Sequence, residues 1–479
     1  MQKQSERMSA VDAAWLRMDR PTNLMMIVGV VVFDEQLDFA RFRATIGDRF
    51  LEFPRFRCRA VQDTVSASWE PDPAFDLDQH VTRIALPAPA GQAELEELVS
   101  ELAGTDLDRR RPMWQFHFVE NFGRGTAVIL RIHHCYADGI AMVRVFLTLT
   151  DLQPQPAAAE PAAPQGPAKK KRRGGDGDGT PWLGRLGVPG LGLVQKAYAE
   201  GAEWFGKALD LTRHPEQANE LAKHALGIAA ELARVATLPD DPPTRFKGAL
   251  GTRKIAAWTD PLPLAEVKTV ARALGCTIND LLMSTAAGAL GSYLRAHGED
   301  TDGMTIRATV PVNLRDPAAA AELGNHFGLV FLELPVGIRN PLERVFAVHA
   351  AMSALKSSYQ PVLTLGLMAA LGMMPGQVET AAIDLLSTKA SAVATNVPGP
   401  SQRLYLAGSP IARLIFWVPQ SGDIGLGISI LSYAGQVQFG LIADYKRVPD
   451  PGAVTARFHQ EFEKVVCSLL MGPYLKTGR

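Results

Sequence analysis

Cysteine is scarce in this chain. Four residues, Cys58, Cys135, Cys276 and Cys467, stand far apart with no paired spacing. That pattern excludes a disulfide framework and points to free thiols in a reducing compartment. Charge of one sign is also lacking. Lys and Arg number 49 against 50 Asp and Glu, a net charge of −1, which argues against a nucleic-acid binder. Long apolar runs are missing too. Leu24 to Phe33 is long enough only for a strand, and the longest apolar stretch, Val362 to Met374, is closed by Pro361 and Pro375. Both fall short of the roughly 20 residues a spanning helix needs. Met1 to Ser9 is polar and has no signal-peptide pattern. Together these absences predict a cytoplasmic protein, soluble or peripheral, with contact at the inner membrane or a lipid-body surface left open. No tandem repeat is visible.

What remains is a globular composition, 47% hydrophobic and 21% charged, in 479 residues, which is too long for one ordinary core. A change in composition marks the division. Gln153 to Gly179 is Pro/Ala-rich, then runs Lys169-Lys-Lys-Arg-Arg173, then Gly-Gly-Asp-Gly-Asp-Gly. It cannot bury apolar area and reads as a disordered linker. Its five basic residues could touch anionic lipid, but a solvated linker is the preferred reading. Four parts follow: a first lobe over 1–152, a basic linker over 153–181, a helical connecting region over 182–243 and a second lobe over 244–479. The helical region carries helical spacing from about Leu193 to Leu238 and is read as packing on the body rather than facing a membrane.

Both lobes mix strands and helices. In the first, Ser9 to Asp12 reads as a cap and first helical turn. Met25 to Phe33 and Thr126 to Ile132 read as strands, and Phe39 to Phe50 and Ala93 to Leu102 as helices. In the second, strands are expected at Arg253 to Trp258, Met304 to Val312, Leu329 to Leu334, Gly425 to Tyr433 and Val437 to Asp444. Helices are expected at Leu264 to Leu274, Leu281 to His297, Leu342 to Ser357 and Ala453 to Leu470. The fold class is α/β, two similar lobes around a shared cleft.

The chemistry concentrates at Ile132-His133-His134-Cys135-Tyr136-Ala137-Asp138-Gly139, where a strand ends and a helix is about to begin. Histidine titrates near pH 6.5 and is mostly free to accept a proton at neutral pH. Successive residues on an extended segment point to opposite sides. At most one of His133 and His134 can therefore be a working base. Two buried structural histidines would also explain the pair. A metal site is weak, because adjacent residues diverge and no His-x-x-x-His or Cys-x-x-Cys companion exists. Cys135 reads as a small buried apolar residue, Asp138 alone as a helix cap, and Gly139 alone as a turn residue.

The whole His-His-x-x-x-Asp-Gly constellation resembles the active-site motif of the CoA-dependent acyltransferase superfamily, which includes chloramphenicol acetyltransferase and peptide-synthetase condensation domains. Further segments narrow the resemblance to the bacterial wax ester synthase/acyl-CoA:diacylglycerol acyltransferases, over nearly the whole chain. These are Pro112-Met113-Trp114 (Met where that family has Leu), Asn279-Asp280, Pro311-Val-Asn-Leu-Arg315, Leu323-Gly-Asn325 and Asn396-Val-Pro-Gly-Pro400. Read by itself, Pro112-Met113-Trp114 is ordinary core packing.

The resemblance implies two chloramphenicol-acetyltransferase-like lobes, with mixed sheets flanked by helices around a central cleft or tunnel. It implies transfer of a long-chain fatty acyl group from acyl-CoA to a fatty alcohol or to diacylglycerol. Acyl-CoA is then a co-substrate, and no metal or other cofactor is expected. His134 takes the role of general base. His133 fixes the strand end, Asp138 turns from substrate and orders the loop through a basic partner, and Gly139 allows close backbone approach. The oxyanion donor is Asn279 or a backbone N–H, with a helix cap as the competing reading of Asn279. A condensation-type transferase with a carrier-bound donor or another acceptor, and a silent lipid-binding protein of the same fold, are the alternatives. No carrier motif is evident, and the intact motif disfavours a silent copy.

Overall fold

The computed structural model describes residues 5–63, 67–154, 237–314, 323–356, 358, 360–371 and 376–471. Nearly all of the basic linker and the helical connecting region expected before Leu238 lie outside these residues, as does Arg315. The strands that frame the molecule are β1 (Met26–Phe33), β2 (Val81–Ile84), β3 (Trp114–Phe122), β4 (Gly125–His133), β5 (Lys254–Trp258), β6 (Ile306–Asn313), β7 (Phe327–Leu334), β8 (Ala392–Pro398), β9 (Arg413–Trp417), β10 (Leu426–Tyr433) and β11 (Gln436–Asp444). The helices that pack on them are α1 (Ala10–Arg17), α2 (Phe39–Arg49), α3 (Gln92–Ala103), α4 (Gly139–Thr148), α5 (Leu264–Ala273), α6 (Ile278–Ala296), α7 (Pro341–Lys356), α8 (Gln360–Leu371), α9 (Gly376–Ser387) and α10 (Pro451–Met471).

The first sheet has the order β9-β1-β4-β3-β2. Its inner strand β1, Met-Ile-Val-Gly-Val-Val-Val-Phe, is rich in β-branched residues that suit a pleated surface. Alternation sends its side chains into two different cores. Ile27, Val31 and Phe33 join Phe42 and Ile46 of α2. Met26, Val28, Val30 and Val32 join Leu95 and Val99 of α3. Burial of each such side chain stabilises by about 1.5–3 kcal/mol. Strand β4 behaves likewise: Val128 and Ile132 face the α2 core, and Ala127 and Ile129 face the α3 core.

The second sheet runs Leu262–Pro263, β11, β10, β8, β6, β7, with β5 also on β11. It is mixed, since β8 is parallel to both β6 and β10 while the other pairs are antiparallel. Buried Leu281, Ala286, Leu290 and Leu294 of α6 and Val454, Phe458 and Phe462 of α10 share its core.

The lobes are laced together. Strand β9, from the second half, forms the edge of the first sheet, with Arg413 opposite Val32 and Trp417 opposite Val28. Tyr405–Leu406 pairs with Thr150–Asp151. Arg17 of α1, partly buried, reaches the buried Glu379 of α9 at 2.6 Å. Among the described residues, no helix is long and apolar enough to cross a membrane.

Candidate active site

Strand β4 ends at His133 and α4 begins at Gly139, so the motif forms the turn between them. The two histidines diverge as alternation requires. His133 N donates to the Met113 carbonyl at 2.9 Å, and His134 N to the Met25 carbonyl at 2.7 Å. His133 Nε2 stands 3.5 Å from Asp19 Oδ2, and its Nδ1 accepts from Cys135 N at 3.2 Å. Asp19 also accepts from Met25 N at 2.6 Å and from Arg109 at 2.7 Å. Burial pushes the Asp19 carboxyl up, but His133, the Met25 N–H and Arg109 together hold it below the ordinary carboxylate range.

His134 meets different surroundings. The Trp15 ring stacks on it with centroids 4.2 Å apart, and Phe327 meets it edge-on at 5.6 Å. The residue is 2% exposed, and its Nδ1 is buried with no hydrogen-bond partner. Burial pushes its pKa down to about 4. The Asp138 charge, the Asn325 side chain and its own carbonyl oppose that shift without cancelling it. The imidazole is therefore neutral at pH 7 and able to accept a proton. The ring is covered, however, rather than lining an open cleft. Neither of two surface cavities, of about 350 and 540 Å³, is lined by it.

The other motif residues hold the turn. Asp138 caps α4, accepting from Ala141 N at 2.8 Å. Its second oxygen accepts from His326 N at 2.9 Å, so it orders the loop through backbone N–H groups of both lobes. Cys135 is fully buried, and burial raises its thiol well above the usual range. Tyr136 donates to the Cys58 carbonyl at 2.7 Å and accepts from Met113 N at 3.1 Å. Pro112-Met113-Trp114 is thus both core and a tie to the motif turn, with Trp114 Nε1 donating to the Phe56 carbonyl at 2.8 Å.

Two expectations change. Gly139 is not required by any close approach of protein atoms: a Cβ there would meet only Val418 Cγ1, at 4.0 Å. Asn279 is not the helix cap. Thr277 caps α6 in a reciprocal box with Asp280. Asn279 Oδ1 instead accepts from Asn396 Nδ2 at 2.6 Å, which joins two of the family-like segments. A polar side chain that does touch His134 is Asn325, whose Nδ2 donates to the His134 carbonyl at 2.9 Å. Asp12, Trp15 and Asn325 were not read from sequence as site residues. Asp12 looked like a first-turn helix residue, and no local signal shows that it meets Asn325. Among the described residues no group of three or more His, Cys, Asp or Glu could hold a metal ion.

The wax ester synthase/diacylglycerol acyltransferase catalytic domain matches residues 8–282, and the C-terminal domain of the same family matches residues 323–465. The chain belongs to the wax ester synthase/diacylglycerol acyltransferase family. It is an acyltransferase of wax ester and triacylglycerol synthesis. The probable diacylglycerol O-acyltransferase tgs1 of Mycobacterium tuberculosis is 28% identical over 473 residues, covering 96% of this chain and 95% of that protein. The wax ester synthase/diacylglycerol acyltransferase of Marinobacter aquaeolei VT8 superposes with a TM-score of 0.66 at 20% identity, covering 97% of this chain and 99% of that one. The first condensation domain of the calcium-dependent antibiotic synthetase gives 0.59 at 16% identity, over 98% and 97% of the two chains. These superpositions show the fold, two chloramphenicol-acetyltransferase-like lobes. In this wax ester synthase/diacylglycerol acyltransferase homologue, the motif turn lies where segments of both lobes converge.

Proposed function

We propose that the protein moves a long-chain fatty acyl group from acyl-CoA to the hydroxyl of a fatty alcohol or diacylglycerol, with His134 as general base. The alcohol oxygen attacks the thioester carbonyl carbon as His134 takes the hydroxyl proton. The tetrahedral oxyanion collapses, the C–S bond breaks, and the imidazolium returns the proton to the CoA thiolate. The step is redox-neutral, and acyl-CoA is its only co-substrate. Asn279 is proposed as the oxyanion donor: Asn396 engages its Oδ1, and among the described residues no acceptor is found for its Nδ2. The observation that carries the reading is a neutral imidazole among aromatic carbon at the junction of the lobes. Such surroundings suit an acyl chain and exclude competing water.

Contact with a lipid surface belongs to the same proposal. It is supported by α9, where Val378 and Leu385 are 50% and 59% exposed and lie seven residues apart, two turns along one face. The test is purified protein with labelled palmitoyl-CoA and an emulsion of hexadecanol or dioleoylglycerol. Neutral-lipid ester and free CoA should form in equal amounts, and the protein should float with the emulsion. General-base help is worth about 10²–10⁴-fold, so His134→Ala should lose that much turnover while staying folded. Undiminished turnover in the variant removes His134 as the base. Protein that stays wholly below the lipid layer removes the surface contact.

A further inference from the structure

The backbone of His134 is gripped from two sides. Its N–H is fixed to Met25 in the first sheet. Its carbonyl is fixed by Asn325, which belongs to the second half of the chain. The same amide nitrogen of Asn325 also donates to Asp12 Oδ1 at 2.8 Å, and the Asn325 backbone N donates to that oxygen at 3.1 Å. Asp12 is buried and has Arg55 at 3.8 Å beyond it. On either side of Asn325, Gly324 O accepts from Asp138 N at 3.2 Å and His326 N donates to Asp138 Oδ2 at 2.9 Å. Gly324 holds a φ of +119°, a backbone angle that glycine adopts without strain.

Chain geometry makes one unit of this. Asp12 and Trp15 are three residues apart on α1 and share a face. Asn325 and Phe327 are two residues apart on an extended segment and share a side. Each element therefore presents one polar group to the backbone of His134 or to the other element, and one aromatic ring to the imidazole. The geometry points to Asp12 and Asn325 as positioning residues: a clasp between α1 and the 324–326 segment that sets the His134 carbonyl, and through it the direction of the ring. The inference rests on the reading of His134 as the base. Neither residue acts on substrate itself.

A merely structural clasp and a positioning clasp predict different results. Misplacing a reacting group by about 1 Å costs on the order of 10²-fold. Asn325→Ala should lower kcat by about 10²-fold and leave the KM for palmitoyl-CoA within about threefold, because the loss is confined to the transition state. The swap Asp12→Asn with Asn325→Asp separates the roles. It restores a donor–acceptor pair between the two positions but leaves the His134 carbonyl with no amide donor. Its Tm should return towards the wild-type value while kcat stays low. Wild-type kcat in Asn325→Ala, or kcat recovered together with Tm in the swap, overturns the inference. If Asn325→Ala does not fold, the swap alone decides. His134→Ala, run alongside, keeps the two proposals apart. An active His134→Ala sinks the base itself, whereas an inactive His134→Ala beside a fully active Asn325→Ala sinks only the clasp.

Discussion

At the end of β4 one side of the chain faces charge and the other faces aromatic carbon. His133 looks onto Asp19 and Arg109; His134, the next residue, looks onto Trp15 and Phe327. Both are buried, so burial alone does not distinguish them. What differs is the neighbour. His133 Nε2 has the Asp19 carboxylate 3.5 Å away. His134 has aromatic rings against it instead, and burial holds it neutral at pH 7. The strand's alternation thus gives two identical side chains two different surroundings, and the proposal assigns the base to the one among aromatic rings.

The largest test of that contrast is to remove each ring in turn. His134→Ala should lose about 10²–10⁴-fold in turnover, and the cavity left beside Trp15 and Phe327 should cost some stability as well. His133→Ala should keep most of its turnover. The Cys135 N–H loses its acceptor, Asp19 keeps Arg109 and the Met25 N–H, and stability falls by about 1–3 kcal/mol. Turnover per folded molecule should stay within about tenfold, less than the loss of a general base. Thermal melts and initial rates on both variants decide it. If His133→Ala is the dead variant and His134→Ala keeps its turnover, the assignment of the two sides is reversed.

The next test is pH. Burial holds His134 down to about 4, so the neutral, base-competent ring persists well below the usual histidine range. The acid limb of kcat/KM, which reports the free enzyme, should fall near pH 4 rather than near 6.5. Trp15→Leu thins the cover and admits water, so the limb should move up towards 6.5. An acid limb near 6.5 in the unmodified protein would show the ring to be solvated in its working form. The same shift acts on the fold with a definite sign. His117 is likewise held to about 4, by burial first and then by Arg131. The unfolded chain therefore binds more protons than the folded one between about pH 6.5 and 4, and stability declines as pH falls through that window.

Local pattern carried much of this. The strand expected at Met25 to Phe33 is found at Met26–Phe33, and that expected at Thr126 to Ile132 at Gly125–His133, because period-two burial is written in neighbouring residues. The motif turn followed from the same alternation. What escaped depends on distant partners. Arg413–Trp417 is a strand of five residues whose place in the first sheet is fixed by pairing with residues 28–32. Helix α9 mixes small, charged and exposed apolar residues and follows directly on the apolar stretch closed by Pro375. Asp12 and Asn325 lie 313 residues apart, and neither is unusual in its own window. Thr277-Ile-Asn-Asp280 does contain its capping box in plain view. Thr277 takes the cap and leaves Asn279 inside the first turn, because Asp280 three residues on completes the reciprocal box.

The smallest expected effect concerns Gly139, at the first position of α4. Its φ is not positive, and an added methyl would touch only Val418 Cγ1 at 4.0 Å, an ordinary contact. Nothing in the protein therefore requires glycine there. Alanine is the better helix former by up to about 1 kcal/mol, with less of that gain at a helix end. Gly139→Ala should accordingly keep its Tm or raise it slightly. If the proposal for His134 holds, substrate passing close to the backbone would account for a glycine that the fold does not need. In that case kcat/KM for acyl-CoA falls with no loss of stability, and by less than in Asn325→Ala, because the ring itself stays aimed. A lowered Tm would mean that Val418 cannot accommodate the methyl. Unchanged kcat/KM with unchanged Tm would remove substrate approach as the reason for this glycine and place the contact surface elsewhere on the His134 side.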